Sequence, residues 1–175
     1  MRLMQARYGR LHNMSMAVAA LGMAVVAVLH LARSSAEGMA FSLGDTRSVL
    51  YLLLICAMAF YAWVGFNRFG NRAPQVVIDH DGITLGFGRN RRFTWDEIQW
   101  ARVRRLGVRP TLQLGLVPEV FVAANLRLSQ WSLDDSLRPI RGMPAALAVR
   151  DNGLDTRAGA MLDAVKSFRP NLVRS

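Results

Sequence analysis

The sequence is poor in cysteine, lysine and acidic residues. Its one cysteine, Cys56, excludes a disulfide within the chain. Its one lysine, Lys166, stands against 21 arginines and 12 acidic residues, which leaves a formal net charge of +10. A charge of this sign leaves an anionic membrane surface, an acidic protein and nucleic acid as partners to consider. Nothing further indicates nucleic acid, because base-reading motifs and interleaved stacking aromatics are missing.

Two segments, residues 14–32 and 49–66, lack formal charge altogether. At a rise of 1.5 Å per residue, a helix over either segment is roughly 27–29 Å long, close to the ~30 Å thickness of a bilayer core. A core helix of a soluble protein rarely stays apolar around its whole circumference for such a length. The sequence therefore predicts a hairpin of two transmembrane helices over residues 14–66.

Positive charge flanks this hairpin on its outer sides. Arg2, Arg7 and Arg10 precede the first span, and Arg68 and Arg72 follow the second, with no acidic residue nearby. The connecting loop carries two arginines and two acidic residues, which cancel. Because cytoplasmic flanks carry the excess of positive charge, we predict a multi-pass protein of the bacterial inner membrane with both termini in the cytoplasm. Residues 1–13 then form a cytoplasmic N-terminal arm.

The first span has one alternative interpretation. Arg7 and Arg10, the apolar stretch and the small residues of 34–36 resemble a secretory signal peptide with a cleavage site. The apolar stretch is long for such a peptide. Even after cleavage, the arginines that follow the second span would hold the C-terminal part of the chain in the cytoplasm.

Small residues recur at helical spacing along both spans. In lipid, helices associate where small side chains allow their backbones to approach closely. We expect the first span to pack against the second span of the same chain, with a homodimer or another membrane protein as alternatives. His30, at the outer end of the first span, is expected to be hydrated. The predicted packing residues are Ala17, Ala20, Ala24, Ala27, Ala59, Ala62 and Gly65.

Beyond a polar linker over residues 67–74, the apolar pattern changes from helical to alternating, which is typical of short strands. Residues 75–175 are long enough for one small domain. We expect antiparallel strands closed by a C-terminal helix over 156–168, with Asp155 as its N-cap. The predicted strands lie near 76–79, 83–87, 93–95, 98–103, 111–117, 120–124 and 145–149.

Two motifs in this region carry a resemblance. Residues 76–83 (VVIDHDGI) and 93–98 (FTWDEI) resemble the strand, acid-Gly-Ile turn and aliphatic-polar-Trp-acid segment of bacterial pleckstrin-homology-like (PH-like) proteins. A two-helix membrane hairpin before such a domain is a common arrangement in that group. The resemblance implies an α+β membrane protein whose cytoplasmic domain, residues 75–175, is a split or partly open antiparallel barrel capped by a C-terminal helix. It does not imply phosphoinositide binding.

A catalytic constellation is missing from the sequence. Asp79, His80 and Asp81 precede Gly82 as in a tight hairpin turn, and no downstream glutamate completes a calcium loop. Asp96 and Glu97 are adjacent, so a strand would direct them to opposite faces. We therefore predict a protein that is not an enzyme and that uses no metal and no cofactor.

Arginines crowd two predicted hairpins of the domain. They form either a solvated basic face or a surface that contacts anionic lipid or a protein partner. We favour a membrane-anchored binding or scaffold module that docks an unidentified protein or the anionic inner leaflet. The alternatives are an inner-membrane immunity protein that neutralises an antibacterial toxin, and a lipid-related enzyme or transport accessory using Trp95, Asp96 and Arg102. The predicted contact residues are Arg89, Arg91, Arg92, Arg102, Arg104 and Arg105.

Overall fold

A computed structural model describes residues 3–36, 44–87, 90–106, 109–124 and 137–174. The chain is α+β and divides into two compact units. The helical unit spans Gly9–Arg72, and the β unit joins Met1–Tyr8 to Ala73–Ser175.

The helical unit is a pair of long helices, α1 (Arg10–Ala36) and α2 (Thr46–Gly70). Asp45 is the N-cap of α2, and its carboxylate accepts hydrogen bonds from the backbone nitrogens of Arg47 at 3.3 Å and Ser48 at 3.0 Å. These hydrogen bonds lower the pKa of Asp45, the one with the Ser48 hydroxyl most of all. Helix α2 ends at Gly70, within the predicted linker. Both helices are longer than the predicted spans because backbone hydrogen bonding continues into the polar flanks.

Small side chains form the contact between α1 and α2. Ala17, Ala20, Ala24 and Ala27 are buried on α1, and Ala62 and Gly65 are buried on α2. At Gly65 a Cβ atom would lie 2.8 Å from the Ala17 Cβ and 2.9 Å from the Asn13 carbonyl oxygen. Only a glycine allows this approach. Ala59, in contrast, is exposed, so it does not share the packed face with the other small residues of α2.

The outward faces of both helices are apolar. Each helix is long and apolar enough to cross a membrane, with a mean hydropathy of 2.1 for α1 and 2.2 for α2 over the most apolar window. Only 22% of that window is buried in α1 and 11% in α2. Large apolar side chains such as Val26, Leu53 and Trp63 are more than half exposed.

The first sheet of the β unit has the order β1-β2-β3-β4, with every pair antiparallel. Its strands are β1 (Met4–Ala6), β2 (Val76–Ile78), β3 (Gly82–Leu85) and β4 (Arg91–Thr94). Gly82 has a φ of +154° and a Cβ there would lie 2.0 Å from the Phe93 carbonyl oxygen, so the turn between β2 and β3 requires glycine.

The second sheet has the order β5-β6-β8-β7, again antiparallel throughout. Its strands are β5 (Ile98–Leu106), β6 (Arg109–Leu116), β7 (Leu137–Pro139) and β8 (Ala146–Arg150), and a short helix α3 (Pro118–Ala123) follows β6. The two sheets and the C-terminal helix α4 (Ala158–Phe168) share one core, with Ile83, Phe93, Leu114 and Met161 fully buried in it. In the described part of the chain the sheets do not close into a barrel.

The N-terminal segment belongs to the β unit, although the sequence predicted a separate arm over residues 1–13. Ala6 is fully buried, and its carbonyl accepts a hydrogen bond from the Gln75 nitrogen at 2.7 Å. On the other side of the segment, Arg7 and Asp155 exchange two hydrogen bonds of 2.8 and 2.9 Å. The hairpin of α1 and α2 is therefore an insertion between two neighbouring strands, β1 and β2.

Three local predictions are wrong. The segment 120–124 is mostly helical rather than a strand, because Pro118 at the first helical position favours a helix start. Trp95, predicted as the last residue of a strand, instead begins a 3-10 turn over residues 95–97, with the Thr94 nitrogen donating to the Glu97 carboxylate at 2.8 Å. Asp155 is not the N-cap of α4, because its carboxylate binds the Arg7 nitrogen.

Candidate functional site

Five of the six predicted contact arginines belong to two consecutive strands, β4 and β5, each at an edge of its sheet. Arg91 and Arg92 are on β4, and Arg102 and Arg104 are on β5. Arg89 lies outside the described residues. The backbone of Arg105 pairs with Pro110 at the end of β5, but its side chain is outside the description.

On β4, the side chain of Arg92 forms two ion pairs within the β unit. Its guanidinium lies 2.8 Å from the Asp79 carboxylate and 2.8 Å from the Asp81 carboxylate. The Asp79 Oδ1 atom also accepts hydrogen bonds from the backbone nitrogens of Asp81 at 2.9 Å and Gly82 at 3.1 Å. Arg92 thus ties β4 to the β2–β3 turn, and its charge is compensated. Arg91 is exposed on the same strand.

Asp79, His80 and Asp81 form the one group of potential metal ligands found among the described residues, with ligand atoms within 4.8 Å of one another. Arg92 already contacts both carboxylates, and His80 Nε2 lies 2.9 Å from Asp81. These contacts stabilise the turn, which agrees with the sequence-based interpretation of Asp-Gly as a hairpin turn.

On β5, alternation places Trp100, Arg102 and Arg104 on the face opposite the core, while Ala101 is fully buried on the inner face. The Arg102 Nε atom donates to Gln113 Oε1 at 2.9 Å. Its terminal nitrogen lies 3.3 Å from the Met143 sulfur. The guanidinium carbon lies 4.8 Å from the centre of the Trp100 ring, within cation–π distance. Three contacts therefore fix the position of this guanidinium.

Gly115 makes room for the Trp100 ring. A Cβ at this position would lie 2.1 Å from the Trp100 Nε1 atom and 2.2 Å from Cε2. The indole therefore lies directly over the backbone of β6, and Arg102 stacks upon it. The Trp100 ring therefore packs on Gly115 of β6, and the Arg102 guanidinium lies against the Trp100 ring.

At the described register positions of β5, β6 and β8, the charge on this face is of one sign. The strand register places Thr111, Gln113 and Gly115 of β6 opposite Arg104, Arg102 and Trp100, and Ala146, Ala148 and Arg150 of β8 beside them. No acidic residue occupies these register positions of the described strands. We call Trp100, Arg102, Arg104 and Met143 the β5 strip. Arg104 is exposed, and Met143 is 36% exposed.

Part of the β5 strip was visible in the sequence, because the spacing Trp100-x-Arg102-x-Arg104 puts the three side chains on one face of any strand. Gln113 and Met143 were missed. Gln113 meets Arg102 only through the β5–β6 register, and Met143 is 41 residues away from Arg102 in sequence. No local pattern marks either of them.

Two other predicted candidates have structural partners. Trp95 is buried, stacks on Phe168 at 6.0 Å and donates its indole N–H to the His80 carbonyl at 2.9 Å, so it belongs to the core. His30 was expected to be hydrated. It is exposed, but its Nε2 atom lies 2.9 Å from the Arg47 guanidinium and its ring lies 5.1 Å from that of Tyr51.

Comparisons with protein-family models, with curated proteins and with solved structures give no match for this chain.

Proposed function

We propose that this chain is a membrane-anchored, non-enzymatic binding module of the bacterial inner membrane. The helical unit is its anchor, and the β unit is a PH-like domain that acts in the cytoplasm. The observation that carries the proposal is the contrast between the two faces of the hairpin. Small residues are buried between α1 and α2, whereas large apolar side chains cover the outside.

This contrast favours lipid as the surroundings of the hairpin. A core helix of a soluble protein would bury its large apolar side chains, but Leu50 and Leu53 are each 60% exposed and Val26 is 67% exposed. Exposing such a surface to water is costly, at roughly 25 cal/mol for each Å². A bilayer core removes this cost, and the helices then associate by close packing of small residues.

Strand pairing limits how the helices can cross a bilayer. β1 precedes α1 and β2 follows α2, and the two strands are hydrogen-bonded neighbours. In a bilayer, the N-terminal end of α1 and the C-terminal end of α2 would therefore lie on the same side, which supports an even number of crossings. Removal of α1 as a signal peptide would also remove β1 and its buried Ala6, which favours an uncleaved first span.

The charge and aromatic pattern supports the cytoplasm as that side. Arg10 lies at the N-terminal end of α1, with its guanidinium 5.7 Å from the Phe69 ring near the C-terminal end of α2. Trp63 and Phe66 are exposed on α2 near the same end, as expected at a headgroup region. Arg68 and Arg72 add positive charge there.

We assign the binding function to the β unit because its basic strands carry arginines that can bind a ligand but do not form a catalytic group. The fixed guanidinium of Arg102 and the exposed guanidinium of Arg104 can bind anions. The described part of the β unit brings no nucleophile, base and acid together near them. A domain of this kind positions itself or a partner at the membrane.

Reporter fusions in bacterial cells test this topology. Alkaline phosphatase inserted at residue 40 should be active, because the loop lies outside the cytoplasm, and the same enzyme fused after residue 175 should be inactive. Green fluorescent protein at the same two positions should give the opposite pattern. Equal phosphatase activity at both positions, or extraction of the protein by carbonate, would refute the anchor.

A further inference from the structure

We infer that the β5 strip binds the phosphate group of anionic phospholipids in the leaflet that faces the β unit. This inference rests on the proposed function, since it assumes that α1 and α2 cross the bilayer. It assigns the contact to Arg102 and Arg104 on β5 rather than to the arginines of β4, and it specifies the headgroup chemistry.

Arg92 and Arg102 differ in the charge of the groups that their guanidinium groups contact. Arg92 meets two carboxylates at 2.8 Å, so an incoming anion would compete with both. Arg102 meets a neutral amide oxygen, a thioether sulfur and an aromatic face. None of these partners neutralises its charge. Arg102 is therefore both held in place and electrostatically available to an anion.

The guanidinium of Arg102 is preorganised for binding. A free arginine side chain loses rotamer freedom when it binds, which weakens an exposed contact. In Arg102 this loss has already occurred on folding, because Gln113, Trp100 and Met143 hold the guanidinium. Gln113 itself is only 3% exposed, so the acceptor that orients Arg102 is rigid. Arg104, on the same face of β5, adds a second cation.

The surroundings of the β5 strip favour lipid as its occupant. Trp100 and Met143 add apolar surface beside the two cations, and this combination suits the boundary between headgroups and acyl chains. The connections between the units are short, with residues 7–9 leading into α1 and residues 71–75 leading out of α2. A domain tethered in this way experiences a high effective concentration of the lipid around its anchor. An acidic protein would have to compete with that lipid.

The test uses the full chain in nanodiscs. One preparation contains phosphatidylglycerol with a photoactivatable diazirine near its phosphate, and the other contains phosphatidylcholine with the same group. After illumination, mass spectrometry counts lipid adducts on residues 100–106 and on the peptide that contains Met143. We expect adducts from phosphatidylglycerol, few adducts from phosphatidylcholine, and no loss of adducts in the presence of inorganic phosphate.

Variants distinguish a defined lipid-binding site from nonspecific electrostatic attraction between the basic domain and the membrane. An arginine near an anionic surface contributes about 1 kcal/mol, so Arg102→Gln and Arg104→Gln should each lower the adduct yield about fivefold. Arg91→Gln removes the same charge from β4 and should change the yield less than twofold. Gly115→Ala should also lower the yield, because its Cβ displaces Trp100 while the charge stays the same.

Three outcomes would overturn the inference. They are equal adduct yields from the two lipids, an equal loss in Arg91→Gln and Arg102→Gln, or adducts that inorganic phosphate removes. The first would also be expected if an acidic protein is the occupant. Retention of the chain in the nanodisc on size exclusion reports on the anchor separately. A chain that is not retained contradicts the proposed function, whereas a retained chain without strip adducts contradicts only this inference.

Discussion

The close approach of α1 and α2 at Gly65 gives a sharp prediction. In Gly65→Ala, the new Cβ would lie 2.8 Å from the Ala17 Cβ and 2.9 Å from the Asn13 carbonyl oxygen. Ordinary contacts begin at 3.4 Å, so the first of these pairs is 3.4 − 2.8 = 0.6 Å too close. Neither atom is the end of a flexible side chain, so α1 and α2 must move apart as whole helices.

Overpacking of this kind costs about 1–3 kcal/mol. The better helix propensity of alanine offsets up to about 1 kcal/mol of that cost. Gly22→Ala is the matched control, since Gly22 is an exposed helical glycine with nothing within 4 Å of its Cβ position. We expect Gly22→Ala to be neutral or stabilising, and Gly65→Ala to destabilise the hairpin by about 1–2 kcal/mol.

Segment-resolved hydrogen exchange of the full chain in detergent micelles measures this effect, because it separates the helical unit from the β unit. A loss of 1–2 kcal/mol should accelerate amide exchange in α1 and α2 roughly 5–30-fold. Exchange in Gly65→Ala as slow as in the parent chain would refute the close packing of α1 on α2. An equal acceleration in Gly22→Ala would show that glycine replacement, and not contact, is responsible.

Three further predictions concern the β unit and the hairpin loop. Ala6→Asp buries a charge in the core and should destabilise the β unit by about 3 kcal/mol or more, whereas Gln5→Asp on the exposed face of β1 should have little effect on proteolysis of that unit. Since the pKa of Asp45 is lowered, its capping of α2 is present at neutral pH and is lost as the pH falls through that lowered pKa; NMR titration of its carboxylate should give a midpoint below the ordinary value of 3.8. Asp151 accepts a hydrogen bond from the Ala158 nitrogen at the start of α4, so Asp151→Ala should cost about 1 kcal/mol of thermal or denaturant stability, and Asp163→Ala on the exposed side of α4 should cost less than half of that.

The features that the sequence predicted well are those with a local physical cause. The uncharged segments predicted both long helices, and alternation predicted β2, β3 and β6. Gly82 marked its turn because only glycine tolerates the φ of +154° at that point. In each case the deciding residues lie within one element.

The features that the sequence did not predict depend on contacts between distant residues. β1 has only three residues, Met4–Ala6, too few for a readable alternation, and its partner β2 lies far along the chain. Asp155 has the side chain of an N-cap, but its preferred partner is Arg7 at the other end of the sequence. The pairing of Arg92 with Asp79 likewise depends on the β3–β4 register. The number of arginines in the sequence therefore overestimates the uncompensated positive charge of β4.

The insertion of the hairpin between β1 and β2 has a consequence for biosynthesis. Ala6 pairs with Val76, so 76 − 6 = 70 residues must be added after the first strand before its partner exists. At 5–20 residues per second, the ribosome needs roughly 4–14 s for this step. Both helices are completed in this interval. Under the proposed function, β1 can join its sheet only if they have returned the chain to the starting side of the membrane. In that arrangement, folding of the β unit acts as a checkpoint on insertion, because a chain with the wrong number of crossings lacks its first strand.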